Sequence, residues 1–115
     1  MDEHDVRLRM TRLSGRFLQR ARNDTAFLHE MIGRAHSAHA VTIDQLEHLA
    51  HRIHGSAMTF GFAAVGNCAA EIEHLIEEYK LRTPSTEAAM EPEFRQRLLE
   101  CARQLAREID AAAAH

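Results

Sequence analysis

Across 115 residues there are only 2 prolines, 5 glycines, no tryptophan and an aromatic share of 5%. That scarcity speaks against the turn-dense patterning of all-β sandwiches and barrels, and no stretch alternates polar and apolar residues well enough to read as a strand. Cysteine is scarce too: Cys68 and Cys101 are the 2 in the chain. Both fall on apolar helical stripes and neither sits in metal or redox spacing, so they read as buried thiols rather than a disulfide or a ligand pair. Positive charge is not in excess, since 14 Lys and Arg against 17 Asp and Glu leave a net charge of -3. A broadly basic nucleic-acid-binding domain is thereby disfavoured. No apolar run approaches the roughly 18 residues of a membrane span, and the opening MDEHDVRLRM lacks the apolar centre of a signal peptide. The expected setting is the cytoplasm, away from any membrane. A chain of this length can bury one core, so residues 1–115 are expected to form a single domain, monomeric and acting as a stand-alone protein.

Ala, Leu, Arg and Glu are plentiful, and the apolar residues recur at spacings of three and four. The expected fold is therefore all-α, an antiparallel four-helix bundle with an additional N-terminal helix or helical extension. Val6, Met10, Leu13, Phe17, Ala21, Leu28, Ile32 and Ala35 predict helix from Asp2 to about Ala35, as one helix or as two if Ser14-Gly15 bends it. His36 to Val41 reads as a polar connector, and Thr42 followed three residues later by Gln45 fits a capping box for the next helix. Leu46, Leu49, Ile53, Ala57 and Phe60 form its apolar stripe, and Gly61 ends or bends it. Val65, Cys68, Ile72, Leu75 and Tyr79 resume the spacing to about Lys80, which makes a hairpin over about residues 43–80 the centre of the fold. Leu81 to Pro92 reads as a loop. Pro92 suits the first turn of a last helix with Phe94, Leu98, Cys101 or Ala102, Leu105 and Ile109 on its core face. Ala111 to Ala114 is expected to fray.

One histidine stands where a core cannot explain it. At about 100° per residue, His51 points almost directly away from the centre of the Leu46-to-Phe60 stripe and so faces outward. Around it on that face stand Glu47, His48, His54, Gly55 and Met58: hydrogen-bonding groups, a potential positive charge and, at Gly55, a place where another backbone can come close. The short connection at Gly61 forces antiparallel neighbours. His51 lies 11 residues before Phe62 and Glu73 lies 11 after it, so both sit about 16 Å from the turn and level with each other. Glu73 flanks its own stripe at the helix–helix seam, where its carboxylate can reach a ring nitrogen of His51. A carboxylate on Nδ1–H fixes the tautomer, leaves Nε2 unprotonated toward solvent and raises its basicity, which makes an oriented, exposed nucleophile. Ala69 and Ala70 clear space nearby, and His54, one turn on, could carry positive charge beside an incoming phosphoryl group.

The run His51-Arg52-Ile53-His54-Gly55-Ser56-Ala57, with Gly61 ten residues after the histidine and an acid at Glu73, resembles the signature of histidine-containing phosphotransfer (HPt) domains. Thr59-Phe60-Gly61-Phe62 is similar to the phosphotransfer domain of chemotaxis histidine kinases, and the likeness is strongest from about Leu46 to Glu78. The resemblance implies that His51 is phosphorylated on Nε2, that Glu73 hydrogen-bonds its other nitrogen, and that Gly55 lets a partner dock. It implies a phosphorelay shuttle, aspartate to histidine to aspartate, between receiver domains of response regulators or hybrid histidine kinases. They would dock over Gly55, Met58, Ala69, Ala70, Glu47 and His48. No cofactor is implied for the chain itself; Mg2+ is expected only on the partner's receiver domain. Two positions depart from the family. Lysine is usual at the place of His54, and histidine replaces that charge only while protonated; Ala70 stands where the chemotaxis kinases tend to have another histidine. No P-loop, kinase-type nucleotide site or dimerising helix pair is present, so the phosphoryl group must come from a partner rather than from ATP.

Two other classes of function fit parts of the pattern. His48, His51 and His54 recur at i, i+3 and i+6, with Glu73 and Glu77 across the hairpin, as a zinc- or nickel-binding bundle would need; but the three histidines span an arc of about 120°, which hinders convergence on one ion. A non-catalytic helical interaction module would use the same face without chemistry. Met58 and Phe62 are expected to be partly exposed, whereas Cys68, Ile72, Phe94 and Leu105 belong to the core.

Overall fold

The structure, a computed structural model, describes residues 2–34, 40–83 and 90–114. It consists of α1 (Glu3–Arg34), α2 (Ala40–Thr59), α3 (Ala63–Arg82) and α4 (Pro92–Ala113), with no strand among the described residues. The helices close a ring in which α1 packs on α2, α2 on α3, α3 on α4 and α4 back on α1. Ile32, Ile43, Leu46, Ile53, Ile72, Ile76, Leu98, Leu105 and Ile109 fill the space between them, each 2% exposed or less. These positions follow the three-and-four spacing, so the core is the direct product of the helical period.

Of the two forms expected for the N-terminal addition, the described residues show the helical extension rather than a separate helix. α1 runs unbroken through Ser14-Gly15 for 32 residues, about 48 Å at the helical rise, and accounts for most of the 55 Å long axis of the molecule. Its apolar stripe is longer than its buried face: Val6, Met10 and Leu13 are 46%, 44% and 39% exposed, and burial starts at Phe17. The reason lies across the bundle. Phe17 stacks on Phe60 and Phe62, with centroids 5.6 and 5.8 Å apart, so it is level with the α2–α3 turn. Upstream of Phe17 the helix extends past that turn.

Gly61 at φ 80 is the pivot of the turn. The Phe62 N–H donates to the Ala57 carbonyl at 2.8 Å and the Gly61 N–H to that of Met58 at 3.3 Å, the paired bonds of a Schellman ending to α2. A two-helix hairpin follows because the chain reverses within three residues. At the other end of the bundle Arg95 donates to the Ile32 and Gly33 carbonyls, closing the C-terminus of α1 with a cation where the helix dipole favours one.

Several expected boundaries shift. α2 starts at Ala40, so Thr42 is the third residue inside the helix and the capping box does not mark its beginning; the rest of the His36-to-Val41 connector lies outside the described residues. α3 continues through Leu81 and Arg82, and of the expected loop only Thr83, Met90 and Glu91 are described, Met90 being buried. Ala111 to Ala113 are helical rather than frayed, as alanine's helix propensity allows. Pro92 opens α4 as read. Cys68 and Cys101 are free and only half-buried, at the edge of the core; Ala102 takes the core position beside Cys101. Burial still pushes both thiols above their ordinary range, which leaves them protonated and poorly nucleophilic at neutral pH.

Candidate functional site

The equal spacing about the turn does bring His51 and Glu73 together. Nδ1 of His51 lies 2.9 Å from Oε2 of Glu73, the imidazole 73% exposed and the carboxylate 14%. A carboxylate only accepts, so Nδ1 carries the proton and Nε2 holds its lone pair toward solvent. The other carboxylate oxygen is also taken: Nδ1 of His54 stands 2.8 Å from Oε1 of Glu73, with a side chain 37% exposed. Glu73 thus bridges two imidazoles one helical turn apart. Spacing alone placed His54 beside the site but did not reveal this partner, because both histidines can reach the seam and the rotamers decide which do.

On the N-terminal side of His51 the surface is acidic. A shallow depression of ≈ 390 Å³ is lined by Asp44, Glu47, His48, His51, Glu73 and Glu77. Lys80 bridges Asp44 and Glu47, the latter at 2.8 Å, and those hydrogen bonds, Asp44's first, hold its ammonium above the ordinary lysine range. Glu47 is therefore tied into an ion pair rather than free on the surface, while His48 is exposed. Among the described residues no group of three or more His, Cys, Asp or Glu side chains is arranged to hold a metal ion.

Toward the turn the surface opens. A Cβ built on Gly55 would meet nothing within 4 Å, and Met58 is 52% exposed. Met58 lies across Gly66 of α3 so closely that a Cβ there would come within 2.7 Å of its Sδ. Gly66 is a residue that the sequence reading missed. A glycine inside a helix signals close approach, but its partner is a tertiary fact. Ala69 is a correction in the other direction: it is 0% exposed, inside the core, and cannot contact a partner. Ala70 is half-buried on the side of α3 that faces α4, where it lines a groove with Asn67, Glu71, His74, Leu75, Arg97 and Cys101. Phe62 is half-buried against the core, in line with its expected partial exposure.

Chemically the arrangement offers a nucleophilic ring nitrogen, a fixed tautomer and an anion behind the ring to meet positive charge that develops on it. The family model for the Hpt domain matches residues 12–115. No curated protein and no solved structure matched the chain.

Proposed function

The chain belongs to the Hpt domain family, and on that premise we propose that it shuttles a phosphoryl group between receiver-domain aspartates by way of His51 Nε2. The observation that carries the reading is the 2.9 Å contact of His51 Nδ1 with Glu73 behind an exposed ring. Attack by the Nε2 lone pair on the phosphorus of an aspartyl phosphate forms the N–P bond as the P–O bond breaks, and the aspartate leaves as a carboxylate. No proton has to move. The ring keeps its Nδ1–H and becomes cationic, and Glu73 meets that charge; a hydrogen bond to a charged group is worth about 1.5–3 kcal/mol. In the return step a second aspartate attacks phosphorus and the ring departs as the neutral tautomer it started as. The chain's part is positioning and charge, as in phosphoryl transfer generally, and Mg2+ belongs to the receiver. Docking centres on Gly55 and Met58, where the surface is open, in a small and transient interface.

Fragmentation mass spectrometry after incubation with a phosphorylated receiver domain should place a phosphoryl group on His51. The labelled protein should then lose it to a fresh, unphosphorylated receiver. A receiver that binds but leaves His51 unlabelled would make the chain a non-catalytic interaction module instead.

A further inference from the structure

Glu73 gives one carboxylate oxygen to each of two histidines, at 2.9 Å to His51 and 2.8 Å to His54, in each case through Nδ1. From this symmetry we propose that His54 is a second phosphoryl acceptor, reacting through Nε2 at the same carboxylate as His51; the inference rests on the phosphotransfer reading of the site. What orients His51 orients His54 equally: Nδ1–H is docked on an anion, so the lone pair sits on Nε2. The ring is half-buried but reachable, with 37% of the side chain exposed, and the next residue is Gly55, where nothing fills the space a side chain would take. Other described histidines do not share the geometry. His74 meets Glu78 through Nε2 at 3.2 Å, and none of His4, His29 and His48 has a carboxylate at Nδ1 among the described residues.

The two acceptors are three residues apart on α2, about 4.5 Å along the axis and about 60° around it. A donor therefore changes target by a small slide toward Gly55 and Met58, the open end of the site. The step balances as it does at His51: the lone pair of Nε2 forms the N–P bond, the leaving group takes the electrons of the broken bond, and Nδ1–H stays on Glu73. Only one anion stands behind both rings, and two phosphoryl groups so close would repel, so the sites are filled alternately rather than together.

Phosphoramidate tests this without any partner, since it phosphorylates histidine directly and releases ammonia. Wild type, His51→Ala, His54→Ala and the double variant are treated alike, and the label is mapped by fragmentation at alkaline pH. In His51→Ala the label on His54 should exceed that on His29 by about ten-fold or more, as a lost charge-assisted hydrogen bond implies. Adding Glu73→Ala to His51→Ala should bring His54 down to the level of His29. Label on His51 in the wild type, with His54 no better than His29 in His51→Ala, overturns this proposal and leaves the function above standing. Label above the His29 level on neither residue overturns both.

Discussion

Replacing Glu73 by alanine takes an acceptor from two imidazoles at once, so its effect should exceed that of losing a surface carboxylate. Transfer to His51 should fall about ten- to a hundred-fold, the equivalent of one charge-assisted hydrogen bond, with the fold unchanged. Nitrogen NMR should show the His51 proton leaving Nδ1 for a mixture of tautomers; an unaltered tautomer with unaltered transfer would mean that Glu73 does not orient the ring. At Gly66, alanine displaces only the flexible end of Met58, so stability should barely move. Transfer from a receiver should weaken as Met58 is lifted from its seat, and equal transfer rates in Gly66→Ala and wild type would remove Met58 from the docking surface. The pairing of His51 with Glu73 was legible because equal distances from a turn survive any uncertainty about helix ends. The second half of the bridge, His54 to Glu73, depends on rotamers, and the Met58 seat depends on how closely two helices approach; neither leaves a mark in residue spacing.

The hairpin of α2 and α3 is the element that sets the register of the site, and its stability comes from the stripe and the turn. Ile53→Ala and Ile72→Ala should each cost about 2–4 kcal/mol in denaturant unfolding, as buried large-to-small changes do. Gly61→Ala forces a side chain into the left-handed region at φ 80 and should cost about 1–2 kcal/mol. If the alanine variant matched wild type, the turn would not be holding the register. Helical type and chain order were legible, since 3.6-residue periodicity is a property of the whole segment, although it left open whether α1 is one helix or two. Ends were less so. Thr42 and Gln45 have capping chemistry, yet α2 already begins at Ala40, so a capping pattern by itself does not fix a helix end.

The radius of gyration, 15.7 Å, exceeds the value of about 13 Å expected for a compact chain of this length, and the free half of α1 adds to the excess. Sequence periodicity could not reveal this, because Val6, Met10 and Leu13 continue the stripe of Phe17 whether or not anything lies opposite. Removing residues 2–11 should therefore change unfolding free energy by less than about 0.5 kcal/mol, the range of substitutions that touch nothing; a larger loss would show that the free half contributes to the core. The same geometry joins two thermodynamic regimes within one helix. Downstream of Phe17 the helix can melt only with the bundle, while upstream it behaves as a peptide whose nucleus is already formed, so that elongation alone sets its length. Warming should shorten it turn by turn from Asp2 inward before the cooperative transition. Helical ellipticity would then slope downward ahead of the melting midpoint while near-ultraviolet signals stay flat, and the molecule would become rounder before it unfolds.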